Sequence, residues 1–328
     1  MNKIYDNDFF NGEQKKRFLK DMTENTYMVH SRVLKRASRL EKNLNKDLYD
    51  FNLDEIEELL NYLSPKTVQA SLTNGSVINA YIGWAIQQDL RTINLNPLDI
   101  VGETDFYKSF VDKTNKLIFS EEEVKKIVFS LESRQDAVII QALFEGIMGR
   151  NNSELLNLKL VDIDADSHKV LLRNIDKDNT EQTRFLKISD PLLRLMQEAS
   201  RETEYKSIMG TGGRAKKLVP SPYVIKGAGK ASADDGKTGT FAIRQRIKNI
   251  GIMEGYDYLS AINIRNSGML KMARDLYEET NKLKREEIEA ICRHFNVGIA
   301  KDGHIASTPY TREFLNLETL FDVYPEIE

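Results

Sequence analysis

Apolar residues recur every three or four positions through most of the first hundred residues, the period of an amphipathic helix. From Thr26 to Lys46, Val29, Val33, Ala37, Leu40 and Leu44 form one stripe, and Arg32, Lys35, Arg39, Lys42 and Lys46 follow the same period on another face. A second helix is expected at Asn52, a good N-cap, with Glu55 three residues on completing a capping box. Ser64-Pro65 is a further start signal, with serine capping and proline in the first turn. Asn74-Gly75 interrupts the pattern that follows, and Ser76 to Leu90 reads as another helix with Val77, Ala80, Tyr81, Trp84 and Ala85 inward.

Leu95-Asn96-Pro97 ends this run, because proline restricts the residue before it, and residues 98–117 read as a linker. Ser120 with Glu123 opens the second half on another capping box. Asp136 to Ile147 is a buried helix, and Ser153 to Leu158 another. Lys169 to Ile175 and Thr183 to Ile188 are β-rich and flank Asp176-Lys177-Asp178-Asn179, a hairpin signal. Asp190-Pro191 starts the next helix. Lys206 to Gly239 lacks periodicity and reads as a mobile loop or insertion, after which 239–250, 264–277 and 285–295 return to helix.

Composition then narrows the class. The chain has 328 residues, 41% hydrophobic and 30% charged, which fits a globular protein with two domains. No secretory signal or membrane span is visible, and Cys292 is the sole cysteine, so a cytoplasmic chain without disulfides is expected. The four histidines, His30, His168, His294 and His304, lack metal-site spacing; no metal or cofactor is expected. The net charge of −3 hides two basic segments. His30 to Lys46 carries six cations, Arg36 among them, against the single anion Glu41; Lys206 to Lys248 carries ten, including Arg244 and Arg246, against Asp234 and Asp235. Local basic stretches in an acidic chain point to a polyanion surface.

The order of elements resembles the phage-integrase type of tyrosine recombinase. Ser64 to Pro97, ending in Leu95-Asn96-Pro97, resembles the exit of that family's core-binding domain. Glu122-Glu123-Val124, Ser153-Glu154-Leu155-Leu156-Asn157-Leu158 and Asp162-Ile163-Asp164 resemble the start of its catalytic domain. The resemblance implies a mainly α fold with a small β-hairpin. The resemblance further implies two domains that clamp DNA: a helical SAM-like core-binding domain over 1–97, a linker over 98–117, and a catalytic-like domain over 118–328. It also implies DNA contacts from Arg32, Lys35, Arg36, Arg39 and Lys42, from Lys66, Gln69 and Asn74, and from Arg244 and Arg246.

In that family two arginines hold the DNA phosphate that a tyrosine attacks, while a hairpin lysine and histidines move protons. Arginine suits the first task because its planar fork donates two hydrogen bonds to one phosphate. Ala261-Ile262-Asn263-Ile264-Arg265-Asn266-Ser267-Gly268 resembles the box His-x-x-Arg-His-Thr; Arg265 is kept and Ile262 replaces the histidine. The first arginine maps to Asn151, with Arg150 one residue earlier; either can be the counterpart. The hairpin lysine maps to Lys177, the third box to His294, and the tyrosine to Tyr310, displaced by an insertion around Gly298 to His304.

An isoleucine cannot move a proton, so the resemblance implies a site that grips phosphate without cleaving it. The combination is similar to the integrase-like repressors of SPβ-type temperate phages. It implies a sequence-specific repressor that maintains lysogeny, cytoplasmic and nucleoid-associated, with double-stranded DNA as its partner. The alternative is an active, divergent integrase using Tyr310. Phe314 to Glu328 is expected to dock in cis or, through self-association, in trans. The sequence leaves open whether a protein or peptide antagonist binds.

Overall fold

Asn52 and Glu55 close the expected capping box: Glu55 N donates to Asn52 Oδ1 at 2.9 Å, and Asn52 N donates to Glu55 Oε2 at 2.7 Å. In this computed structural model the described residues are 8–101, 103–112, 116–208, 215–228, 235–300 and 302–328. The chain divides into two units, Met1–Asn115 and Lys116–Glu328.

The first unit holds α1 (Gly12–Leu19), α2 (Glu24–Leu44), α3 (Leu53–Leu63), α4 (Val68–Gln87) and α5 (Glu103–Ser109). Leu34, Ala37, Phe51, Ile56, Leu59, Leu60, Ile78, Tyr81 and Ile82 form its dry centre. Of the stripe expected on α2, Val33, Ala37 and Leu40 are buried, whereas Val29 and Leu44 are exposed. The buried face is instead completed by Leu34, Ser38 and Glu41.

Glu41 is the one anion of the basic segment, and it points inward. Its carboxylate pairs with Lys15 and accepts from Leu48 N at 2.8 Å. Lys15 Nζ also reaches Asp47 Oδ1 at 2.9 Å, and the Tyr81 hydroxyl donates to the same oxygen at 3.1 Å. One ammonium thus faces two carboxylates out of water. Burial pushes the Glu41 carboxyl up to about 7, with Lys15 opposing. Turning Glu41 inward leaves cations as the only charged side chains on the exposed side of α2 from Arg32 to Lys42.

Three expectations for this unit need correction. Ser64 does not cap a helix; it ends α3 in the left-handed conformation (φ 43°), and Thr67 caps α4 by accepting from Ala70 N at 3.1 Å. Asn74-Gly75 does not interrupt α4, which runs unbroken. Gly75 is a packing position: a Cβ there would overlap the Tyr107 ring. Much of 98–117 is not a linker, because Leu98, Tyr107 and Phe110 are buried in the first unit's core. Its aromatic spacing makes a short helix, α5, that packs on α4; residues 113–115 lie outside the described residues. Ala80, expected inward, is exposed, and Trp84 is half-buried, stacked on Tyr81 at 5.8 Å.

The second unit contains α6 (Glu121–Ser130), α7 (Arg134–Phe144), α8 (Ser153–Leu156) and the antiparallel sheet β1 (Ile163–Asp164), β2 (Lys169–Ile175), β3 (Glu181–Lys187). Then come α9 (Asp190–Arg201), the two-stranded β4 (Glu204–Tyr205) and β5 (Lys216–Lys217), α10 (Thr240–Glu254), α11 (Ala261–Thr280), α12 (Arg285–His294), α13 (Thr308–Glu313) and α14 (Leu317–Val323). The protein is therefore mainly helical with small antiparallel sheets, as expected. Helix α7 is wrapped by α6, α9 and α11, with Ala137 to Ile140 and Ala142 to Leu143 fully buried. The β2–β3 register places Lys169 opposite Lys187 and Ile175 opposite Glu181, with Lys177 in the turn.

Segment 206–239 is not a free loop where it is described. Val224 and Ile225 enter the core, and Lys226 N donates to the buried Gln135 Oε1 at 2.7 Å. Arg214, Lys230 and Asp234 lie outside the described residues. The C-terminal segment docks in cis: Phe314, Leu315, Leu320 and Tyr324 are buried with Met269, Leu270 and Ile291. The Tyr324 hydroxyl accepts from Glu121 N at 3.1 Å. Among the described residues no helix is long and apolar enough to cross a membrane.

Candidate nucleic-acid interface

In the first unit, α2 and α4 frame a groove of about 360 Å³. Arg32 and Arg36 stand one turn apart on α2, Lys66 enters from the α3–α4 connection, and Asn74 comes from α4. Val29, Val33, Leu63 and Pro65 supply the apolar part of the lining. Arg36 is steadied by donating to the Leu63 carbonyl, and burial lowers its pKa from a very high starting value. Lys66 pairs with Asp112, which offsets part of its charge. Asn74 is buried, so it belongs to the groove wall, not to an open reading face. Lys35 lies against the Phe9 ring (5.6 Å), Arg39 against Tyr62 (6.0 Å), and Lys42 and Gln69 are exposed; none of these four lines the groove.

In the second unit, Arg244 is exposed on α10, but Arg246 is not available to DNA. Only 6% exposed, it stacks on Tyr205 (4.2 Å) and donates to the Lys226 carbonyl at 3.3 Å. Its Nη1 lies 3.9 Å from Asp136, whose carboxyl burial raises to about 6. Two residues along a helix turn a side chain by roughly 200°, which is why Arg244 and Arg246 end on opposite sides.

The box residues sit on the first turns of α11. Ser260 caps that helix by accepting from Asn263 N at 3.2 Å. Ser267 Oγ accepts from Phe119 N at 2.9 Å, and the Gly268 backbone abuts the Phe144 carbonyl so closely that any Cβ would collide. These contacts set the rotation of α11. Ile262 is 55% exposed where the resemblance expects a histidine. Arg265 Nη2 donates to Asn266 Oδ1 at 3.0 Å and to the Tyr310 hydroxyl at 3.3 Å. The guanidinium also lies over the Tyr310 ring, 5.3 Å from its centroid. Its Nε is buried without a hydrogen-bond partner.

Tyr310 reaches Arg265 because the insertion before it folds back. Ile299 bridges Ile305, Ala300 N donates to the His304 carbonyl at 2.8 Å, and Ala306 N to the Gly298 carbonyl at 3.0 Å. Extra residues taken up in a tight hairpin leave the chain ends in place.

Arg150 and Asn151 both lie in the turn before α8, where Gly149, Asn151 and Asn152 have φ of 66°, 52° and 64°. Asn174 Oδ1 pins the turn by accepting from Arg150 N at 2.8 Å and Ser153 Oγ at 2.7 Å. The Arg150 side chain is exposed, and so is Lys177 on the hairpin. His294 ends α12 with Nε2 donating to the Glu145 carbonyl at 3.1 Å, and burial lowers its pKa, which keeps it neutral. Among the described residues no hydrogen bond joins Arg150, Lys177 or His294 to Arg265 or Tyr310. The structure thus joins Arg265 to Tyr310 by a hydrogen bond, and the end of α12 beside His294 packs in the same core as Tyr310.

One residue that sequence reasoning missed is Arg184 on β3. It donates to both oxygens of the fully buried Glu154, to the Gly146 carbonyl and to the His294 carbonyl. The alternation of β3 carried a signal: Arg184 shares a face with the buried Leu186, while Phe185 between them is exposed.

Comparisons with known proteins cover both units. Residues 9–87 match the family described as MrpR, N-terminal core-binding domain, and residues 118–325 match MrpR, C-terminal catalytic domain. The SPbeta prophage-derived uncharacterized protein YopR of Bacillus subtilis (strain 168) is 28% identical over 321 residues, 97% of each chain. Among solved structures, the Tn1549 transposon integrase in complex with transposon right end DNA superposes with a TM-score of 0.52 at 12% identity, covering 96% of both chains. XerA recombinase gives 0.42 at 16% identity over 97% of this chain and 98% of its own. Two consecutive halves of the sequence match the two halves of one family, on a tyrosine-recombinase fold, and the chain belongs to the MrpR family.

Proposed function

We propose that this chain is a sequence-specific DNA-binding repressor of the kind that maintains a prophage, gripping DNA phosphates without cutting them. The observation that carries this reading is the pairing of a retained Arg265, with Nε unsatisfied, with an exposed Ile262 where a proton-moving side chain would be needed. Charge stabilisation is kept and proton transfer is lost. Arg32, Arg36 and Lys66 in the α2–α4 groove, with Arg150, Lys177 and Arg244 on the second unit, supply further phosphate contacts, which give affinity and register. The prophage origin of the relative at 28% identity supports a lysogenic setting.

The test is a pull-down of sheared genomic DNA with the full chain at physiological salt, followed by sequencing. Several short related sites near promoters are expected; no enrichment would overturn the reading. A second reading, an active recombinase, is favoured by the Tyr310 hydroxyl lying 3.3 Å from Arg265. It requires a DNA adduct that survives SDS and disappears in Tyr310→Phe, and a single enriched site at an integration junction.

A further inference from the structure

Arg184 makes four hydrogen bonds to three separate parts of the second unit. Nε and Nη2 grip Glu154 at 2.7 and 2.8 Å, Nη2 also reaches the Gly146 carbonyl at 2.7 Å, and Nη1 reaches the His294 carbonyl at 2.6 Å. Glu154 in turn accepts from Met148 N and from Asn296 Nδ2, both at 3.2 Å. The ion pair therefore ties the chain on both sides of the Gly149–Asn152 turn to the end of α12 and to the hairpin strand. Those are the segments that carry Arg150, His294 and Lys177. The turn itself holds three left-handed residues, a conformation that persists only where surrounding contacts fix it. Arg265 and Tyr310 make no hydrogen bond to this network among the described residues; they stand on α11 and α13 and are fixed by Ser267, Gly268 and the Ile299–Ile305 bridge.

We infer that Arg184 is a positioning residue that fixes Arg150 and Lys177 for phosphate contact as one unit with the end of α12 that carries His294, through hydrogen bonds that do not include Arg265 or Tyr310. The inference rests on the DNA-binding reading for its consequence, but not for its geometry. A planar fork holds four acceptors in fixed directions, whereas the ammonium of a lysine is a point donor with three. Arg184→Lys keeps the charge beside Glu154 and loses the fork, so the three segments loosen without an unpaired carboxylate being left behind.

Two measurements on the full chain test this. The first is an NMR titration of the histidine rings, which needs no DNA. In Arg184→Lys the His294 pKa is expected to climb toward the ordinary imidazole value as its ring becomes wetter, and in Arg265→Ala it is expected to stay. An unmoved His294 in Arg184→Lys overturns the inference. The second is the salt dependence of affinity for a site recovered by the pull-down. Arg184→Lys is expected to flatten the log–log slope by about one to two, since each lost phosphate contact removes about one. Adding Arg150→Ala to Arg184→Lys should weaken binding no further, whereas adding Arg265→Ala should multiply the two losses. A product of losses for Arg150 with Arg184, or an unchanged slope, overturns the inference. If Arg184→Lys does not fold, Glu154→Gln, which keeps one acceptor oxygen, takes its place with the same expectations. Failure of the wild-type chain to bind any DNA sinks the underlying function instead, and the histidine titration still decides whether Arg184 positions His294.

Discussion

Arg265 and Tyr310 are 45 residues apart in sequence, yet the guanidinium donates to the phenol at 3.3 Å and covers the ring face. The arginine that a phosphate needs and the hydroxyl that a cleavage reaction needs are both present and in contact. Three residues before Arg265, where the proposed reading looks for a proton-carrying side chain, stands the exposed Ile262.

From this arrangement, Arg265→Ala should weaken DNA binding and lower the salt slope by about one, while Tyr310→Phe keeps the slope. The measurement is equilibrium binding from low to physiological salt. A slope unchanged in Arg265→Ala would remove Arg265 from the phosphate contacts.

The buried Lys15–Glu41–Asp47 cluster makes the first unit sensitive to pH. Glu41 has a folded pKa of about 7, above its unfolded value, so the folded state binds the proton more tightly. Stability from this group is full below the unfolded value of 4.5 and is lost as pH rises toward the folded value, in a window from roughly 4.5 to 7. Trp84, the single tryptophan, stacks on Tyr81 beside the cluster and reports unfolding of this unit selectively. Urea midpoints read by its fluorescence should fall across that window and flatten in Glu41→Gln.

Arg246 and Arg244 should behave oppositely. Arg246→Ala strips Asp136 of its cation and should destabilise the second unit by about 3 kcal/mol, because a charge is left buried. The loss should shrink at pH 5.5, where Asp136, with a pKa of about 6, takes a proton. Arg244→Ala should change stability by less than about 0.5 kcal/mol and reduce DNA affinity. Denaturant titrations at two pH values, with binding assays, separate these outcomes.

Gly75→Ala forces a methyl group into the Tyr107 ring and should destabilise the first unit by about 1–3 kcal/mol. In a Tyr107→Leu background the added loss should be much smaller. Equal losses in both backgrounds would mean that α5 does not press on Gly75.

The elements that local chemistry dictates were legible: the capping boxes at Asn52 and Ser120, the β2–β3 hairpin around Lys177, and the apolar α7 all stand where the pattern put them. The errors share one origin, which is that the deciding partner is distant in sequence. Gly75 reads as a breaker until Tyr107 is seen against it. Glu41 reads as a surface anion until Lys15 is found beside it. Arg246 reads as a basic-patch residue until Asp136 and Tyr205 enclose it. In the candidate site, motif order picked out Arg265 and Tyr310, and the structure joins these two by a hydrogen bond. Motif order did not pick out Arg184, because no local pattern reveals that an arginine will meet Glu154 and two carbonyls from other segments.

The C-terminal residues close over their own chain: Phe314, Leu320 and Tyr324 fill the hollow between α11 and α12, and Arg274 lies across the Tyr324 ring at 4.9 Å. A tail engaged in this way offers its neighbours no loose end to grasp. Exchanging it between subunits would first require lifting those side chains into water and uncovering Met269 and Ile291 beneath them. In this conformation the C-terminal segment caps its own chain, with its apolar side chains spent on the core that α11 and α12 present.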